Sequence, residues 1–200
     1  MGHEKRTYRS VMIRHVWAGI VATLVFALAP QSAAAQDVEL ENAKEDGVQL
    51  LMRHAIAPGT GDPSDFAIGD CSTQRNLSEE GRDQARAIGE RIRADGIGID
   101  VVLTSQWCRC RETAELLDIG PVEDAPFLNS FFGDRSTSQA QTEAARERIR
   151  ELAEAGRRAM LVTHQVNITA LTDVFPSSGE IVLVAAGEDG SIEVRGSIDP

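Results

Sequence analysis

The feature that most constrains the fold is the alternation of short apolar runs with amphipathic segments along residues 48–198. Strands are predicted at 48–52, 101–104 and 159–163, and helices near 79–94, 107–117, 138–155 and from 166 onward. Strands connected through helices pair in parallel, with helices covering both faces of the sheet. The pattern predicts an α/β fold, namely a three-layer α/β/α sandwich with a mostly parallel sheet.

The carboxyl-terminal stretch follows a different pattern. In "GEIVLVAAGEDGSIEVRG" two apolar runs flank Asp189 and Gly190, a turn pair typical of a β-hairpin. We expect this hairpin to complete one edge of the sheet. No internal repeat interrupts the alternation, which predicts one domain over residues 36–200.

The first 35 residues are typical of a secretory signal peptide. Four basic residues precede an apolar run of 14 residues at 16–29, and the small residues of "QSAAAQ" follow it. We therefore predict a signal peptide over residues 1–35 and a periplasmic or secreted protein without stable membrane association after cleavage. An uncleaved membrane anchor is the alternative, although the run is short for a membrane span.

Two histidines remain after such a leader is removed, and both follow predicted strands. His54 ends the apolar run of "LLMRHA" beside Arg53, and His164 directly follows "AMLVT". A third strand, "VVLT", ends at Ser105, four residues before Arg109. Ligands of open parallel sheets bind outside the carboxyl ends of the strands, so we expect these side chains to converge at one edge.

Two arginines and two histidines suit phosphoryl chemistry. Guanidinium groups bind phosphate oxygens in pairs, and a neutral imidazole attacks phosphorus. A second imidazole, when protonated, stabilises the charge of the transferred group. Zinc binding is the competing use of paired histidines, but it needs a third ligand and the arginines would repel the cation. We therefore predict neither a metal nor an organic cofactor.

The net charge restricts the partners. The chain carries a formal charge of −11, and loss of residues 1–35, with four Lys or Arg and one Glu, makes it −14. Such a surface repels polyanions, which argues against nucleic acid and anionic membranes as partners. A small phosphorylated substrate or a phosphoprotein, captured locally by the arginines, is the expected partner.

Four ordered motifs resemble the histidine phosphatase superfamily, which is phosphoglycerate mutase-like in fold. They are "LLMRHA", "NLSEEGRDQA", "VLTSQWCRCRETAELL" and "MLVTHQVNI". The resemblance implies that His54 becomes transiently phosphorylated, that Arg53 and Arg109 bind phosphate and that His164 is the second catalytic histidine. It also implies a phosphate-binding role for Arg75, because an arginine often precedes the second motif in the small phosphatases. A surface position for Arg75 is the alternative.

Three positions depart from the family pattern. Ala55 replaces a glycine, Gln106 replaces a proline, and Gln165 follows His164 where other branches carry glycine or a proton-donating aspartate. No glutamate of the mutase type is recognisable in the middle of the chain. Three carboxylates there are candidate acids, although loop carboxylates are commonly surface residues: Glu123, Asp124 and Asp134. The chain therefore resembles the small members, including the phosphohistidine phosphatases.

Three cysteines, Cys71, Cys108 and Cys110, allow one disulfide and one free thiol in an exported protein. Cys110 stands where the family segment has a small buried alanine, so the resemblance implies that Cys71 pairs with Cys108. Together these features predict an exported phosphatase with a histidine nucleophile. The alternative is a non-catalytic module of the cell envelope that binds phosphate or a phosphoglycan.

Overall fold

The computed structural model describes residues 1–3 and 40–200. Residues 40–200 belong to one structural unit, Gln31–Pro200. The predicted signal peptide lies outside the described residues, apart from its first three. Within the described ranges, no helix combines the length and hydrophobicity needed to cross a bilayer.

Six strands form a single mixed sheet in the order β3-β2-β4-β1-β5-β6. Neighbouring strands from β3 to β1 run parallel, whereas β5 is antiparallel to β1, and β6 is antiparallel to β5. The prediction of a mostly parallel sheet is thus confirmed. The strand bounds are β1 Gln49–Arg53, β2 Val101–Thr104, β3 Val122–Asp124, β4 Ala159–Thr163, β5 Ile181–Ala186 and β6 Ile192–Ile198.

Helices cover both faces of this sheet, as the alternation predicts. Side chains of α1 and α2 pack on one face, and those of α3 and α4 pack on the other, each with its own buried apolar cluster. Neighbouring strand residues point to opposite faces, so Leu50 joins the first cluster and Leu51 the second. The helix bounds are α1 Glu79–Ala94, α2 Cys108–Leu117, α3 Ser138–Glu154 and α4 Gln165–Thr172.

The start of α1 fixes the chain that leaves β1. Ser78 caps the helix by accepting a hydrogen bond from the Gly81 backbone N–H at 3.1 Å. A Cβ on Gly81 would lie 2.1 Å from the carbonyl oxygen of Ile56, so only glycine allows this approach. Gln84 adds a second tie, because its Oε1 accepts from the Ile56 N–H at 3.0 Å. Residues just after His54 are therefore held against α1.

The two edges of the sheet differ in how well the sequence predicts them. The carboxyl-terminal hairpin is confirmed, with β5 and β6 joined through the turn at residues 187–191 and a bulge that leaves Arg195 without a partner residue on β5. The opposite edge, β3, has no counterpart among the predicted strands. It contains only three residues, two of them the acidic Glu123 and Asp124, and therefore lacks an apolar run.

Candidate active site

The ends of three adjacent strands build the site. Register pairs Arg53 of β1 with Thr163 of β4, and Thr104 of β2 with Val162 of β4. The next residue of each strand therefore emerges at the same edge: His54, His164 and Ser105. Both histidines are almost fully buried, and their ring centroids lie 5.5 Å apart in an edge-on arrangement. The expected convergence of these side chains is present in the structure.

Hydrogen bonding and burial define the state of His54. Its Nδ1 lies 2.8 Å from the carbonyl oxygen of Ala55, an acceptor, so Nδ1 carries the proton. Nε2 then carries the lone pair, which accepts a hydrogen bond from the Arg109 Nε–H at 3.2 Å. Burial first, and the nearby Arg109 charge second, lower the pKa of His54 to about 3. The ring is consequently neutral near pH 7, and Nε2 is the atom able to act as a nucleophile.

Arg109, in the first turn of α2, uses two edges of its guanidinium group. The inner edge faces the histidines, with Nε 3.2 Å from His54 Nε2 and Nη2 3.4 Å from His164 Nδ1. The outer edge binds the Asp62 carboxylate, at 2.6 Å from Nη1 to Oδ1 and 3.1 Å from Nη2 to Oδ2. Nη1 also donates to the Arg75 carbonyl oxygen at 3.2 Å. Asp62 therefore holds Arg109 with its inner edge directed between the two imidazoles.

A chain of polar groups orients His164. Its Nε2 lies 2.9 Å from Ser105 Oγ, which donates to Asn129 Oδ1 at 3.2 Å. Because the single hydroxyl proton of Ser105 is used for Asn129, His164 Nε2–H donates to Ser105 Oγ, and Nδ1 faces Arg109 as an acceptor. Burial first, and then the neighbouring His54 and Arg109, keep the pKa of His164 well below its usual value. A phosphate dianion beside Nδ1 would favour the protonated ring, which donates from both nitrogens.

The other two arginines differ in how they are used. Arg53 Nη1 donates to the Pro176 carbonyl oxygen at 2.9 Å, while its buried Nε has no hydrogen-bond partner among the described residues. Arg75 is half-buried and binds the loop after β1. Its Nε donates to the Gly61 carbonyl oxygen at 2.8 Å, and its Nη1 donates to the carbonyl oxygen of Ala57. Both arginines line the cleft above His54.

Asp62 is the site residue that the sequence analysis misses. It lies in the glycine-rich "PGTGDP", where Gly59 and Gly61 adopt positive φ angles of 95° and 71°. Besides Arg109, it accepts from Trp107 Nε1 at 3.1 Å and from the Arg75 backbone N–H at 3.2 Å. Burial raises the pKa of Asp62, but the bonds from Arg109 and Trp107 outweigh it and hold the pKa below its usual value.

The three candidate acids occupy different surroundings. Glu123 and Asp124 lie on the edge strand β3 rather than in the cleft, and Asp124 pairs with Arg111. Asp134 does line the cleft, where its Oδ1 accepts from the Ser136 backbone N–H at 2.9 Å. Hydrogen bonds to Ser136 lower the pKa of Asp134. Asp134 is thus the one of the three that the structure brings to the cleft.

The cysteines adopt the pairing that the family resemblance implies. Cys71 and Cys108 form a disulfide, which joins the loop after β1 to the first residue of α2. Cys110 is a free, buried thiol, and burial raises its pKa to about 12. Its Sγ lies 3.5 Å from His164 Nε2. The Cys110 side chain is therefore a protonated thiol that packs against His164.

The two histidines, Asp62 and the three arginines line a cleft of about 540 Å³: Arg53, His54, Asp62, Arg75, Arg109 and His164. We call the part lined by the histidines and arginines its floor. Its walls are lined by residues 59–63 with Phe66, by Ser130 with residues 132–134, by residues 165–166 and by Trp107. The cleft is within the size range of small-molecule sites in proteins.

Comparisons with known proteins agree with this geometry. The chain is 32% identical over 105 residues to "Serine/threonine-protein phosphatase Pgam5, mitochondrial" of Drosophila grimshawi, a match that covers 50% of this chain and 34% of that relative. The chain thus spans about a third of the length of this curated relative. The sequence profile described as "Histidine phosphatase superfamily (branch 1)" matches residues 50–148.

Solved structures share the fold. The protein histidine phosphatase SixA complexed with tungstate superposes with a TM-score of 0.52 at 20% identity, covering 76% of this chain and 97% of SixA. A putative phosphohistidine phosphatase SixA from Agrobacterium tumefaciens gives 0.53 at 16% identity, covering 78% and 100%. The residues that match the profile include His54 and Arg109, and the sheet is that of the phosphoglycerate mutase-like neighbours. Over residues 50–148, this chain matches the histidine phosphatase superfamily.

Proposed function

We propose that this chain is an exported phosphatase that hydrolyses phosphomonoesters or related phosphoryl groups through a phosphohistidine intermediate on His54. The observation that carries the proposal is the state of the His54 ring. Its Nδ1 is tied to the Ala55 carbonyl oxygen, while its neutral Nε2 faces Arg109 and lies near His164. The match of residues 50–148 to the histidine phosphatase superfamily supports the same chemistry.

The proposed reaction has two displacements at phosphorus. Nε2 of His54 forms a bond to phosphorus as the phosphorus–oxygen bond to the leaving group breaks, and the leaving oxygen takes a proton from solvent. Water then attacks phosphorus, and the phosphorus–nitrogen bond breaks. Inorganic phosphate leaves, and the neutral histidine is regenerated. Arg53, the inner edge of Arg109 and protonated His164 bind the phosphoryl oxygens in both steps. Positioning and charge stabilisation supply most of the rate, as in other phosphoryl transfers.

The test compares wild type with His54→Asn in turnover of p-nitrophenyl phosphate. Loss of the nucleophile is expected to lower kcat at least about 1000-fold, with little change in melting temperature. Wild type quenched in alkali during turnover should carry phosphate on His54, and the variant should not. Near-normal turnover by His54→Asn would contradict the mechanism. Phosphate binding without any turnover by wild type would instead favour the non-catalytic envelope module.

Export is supported by two features. The basic, apolar and small-residue segments of residues 1–35 follow the order of a secretory signal, and the Cys71–Cys108 disulfide suits an oxidising compartment. The expected result is a periplasmic or secreted protein whose amino terminus, measured by mass spectrometry, lies near Gln36. An intact Met1 in the membrane fraction would favour the uncleaved anchor.

A further inference from the structure

The cleft is much larger than a phosphoryl group. The phosphoryl subsite takes up its floor, between His54, His164 and Arg109, whereas the whole cleft measures about 540 Å³. The remaining space belongs to the part of the substrate that leaves with the oxygen. Side chains above the floor therefore determine which leaving groups fit.

One wall above the floor is aromatic and held rigidly. The Trp107 ring meets His164 edge-on, with centroids 5.4 Å apart, and Phe66 stacks on Trp107 at 4.7 Å. The Trp107 Nε1–H is bound by Asp62, so the polar atom of the indole is already satisfied. The wall thus offers apolar surface that extends from the phosphoryl subsite outward.

Another part of the cleft lining contains an exposed aromatic side chain, Phe132. It lies between Ser130 and Gly133, which also line the cleft, and 54% of its surface is exposed. Single exposed apolar side chains are common on protein surfaces, and Phe175 is one, at 74% exposure and outside the cleft. Phe132 differs because it faces the same cavity as the Phe66–Trp107 wall.

The charge nearest Phe132 in the sequence disfavours an anionic leaving group at that side chain. Asp134 lines the cleft two residues from Phe132 and is negatively charged. Arg109 pairs with Asp62, and Arg75 donates to the carbonyl oxygens of Ala57 and Gly61. A carboxylate or a second phosphate against Phe132 would therefore meet the negative charge of Asp134.

We infer that this site prefers phosphoryl groups carried on a single aromatic or apolar group, and that Phe132 determines this specificity. The inference rests on the proposed function, because it describes the leaving group of that reaction. Aromatic contacts with Phe132 and Phe66 bind the leaving group, whereas a polyhydroxyl group leaves both side chains without a partner.

The test uses two phosphonates, which have no leaving group and so report binding alone. They are benzylphosphonate and 2,3-dihydroxypropylphosphonate, titrated by calorimetry into the purified protein. Wild type should bind benzylphosphonate at least about 10-fold more tightly. Phe132→Ala should weaken benzylphosphonate about 3- to 10-fold and leave the other ligand unchanged. Phe132→Tyr should retain the preference.

Phe175→Ala is the matched control, because it removes an exposed phenyl ring outside the cleft; it should change neither affinity. Equal affinities of wild type for the two phosphonates, equal weakening of both by Phe132→Ala, or binding of neither would overturn the inference. Turnover of p-nitrophenyl phosphate, measured on the same samples, tests the proposed function separately. If the protein hydrolyses this ester but binds both phosphonates equally, the proposed function stands and the inferred specificity is wrong.

Discussion

Arg109 shows how one side chain serves both the architecture and the chemistry of the site. Its outer edge is bound by Asp62, and its inner edge faces His54 and His164. A guanidinium group alone on a helix has many rotamers, and ordering it costs entropy. The carboxylate supplies that ordering before any phosphate arrives, so Asp62 acts as a positioning residue for Arg109.

Asp62→Asn tests this role. An amide offers one neutral acceptor oxygen in place of two charged ones, so the paired bond to Arg109 is lost. We expect vanadate to inhibit about 10-fold more weakly and kcat to fall with it. Asp65→Asn, an exposed position in the same loop, is the control and should change neither value. Tighter vanadate inhibition by Asp62→Asn would mean that the carboxylate competes with phosphate instead.

A disulfide and a hydrogen bond join the loop after β1 to the first residue of α2. The Cys71–Cys108 disulfide closes 37 residues of sequence separation, and Gln74 Oε1 accepts from the Cys108 backbone N–H at 2.9 Å. The same loop carries Asp62, and the same helix carries Arg109. The disulfide therefore supports the ion pair that positions the inner edge of Arg109.

Reduction or Cys71→Ser is expected to destabilise the fold and weaken the site together. Closing a loop of this length contributes roughly 3–4 kcal/mol in the chain-entropy view. The melting temperature should fall, and vanadate inhibition should weaken. Cys71→Ser, Cys108→Ser and the double variant should behave alike, because each removes the same bond. An additive loss in the double variant, or three free thiols in the purified protein, would contradict the prediction.

The elements also show where prediction from sequence succeeds. Strands such as "AMLVT" and helices such as α1 carry apolar periodicity, and the order of strands and helices then brings Arg53, His54 and His164 to one edge. β3 is missed because an edge strand of three residues needs no apolar run. Asp62 is missed because glycine torsions and bonds from Arg75 fold its loop, and neither leaves a periodic pattern.

At the scale of the whole molecule, the buried neutral histidines link stability to pH. The pKa of His54 is about 3 in the folded protein, against an ordinary value of 6.5, and that of His164 is also lowered. Between these values the unfolded chain binds the proton and the folded chain does not. Stability is therefore complete above pH 6.5 and decreases as the pH falls toward 3.

Urea unfolding at pH 7 and pH 5 measures this linkage. Buried His54 should account for about 2 kcal/mol of the stability lost over that interval. The loss in His54→Asn should be smaller than in wild type by about that amount. Comparing the two proteins cancels the contribution of the carboxylates, which both share. An equal loss in both would show that His54 is protonated in the folded protein.

The borders of the sheet have a consequence for how this molecule behaves in a crowded solution. β3 offers three residues with two carboxylates before Pro126, and β6 is interrupted by the bulge at Arg195, whose guanidinium pairs with Glu193. β3 is short and acidic, and β6 is bulged. Each edge strand therefore offers a second polypeptide few consecutive backbone groups with which to form intermolecular β-sheet hydrogen bonds. The folded protein should therefore stay dispersed at concentrations where a flat, apolar border would seed fibrils.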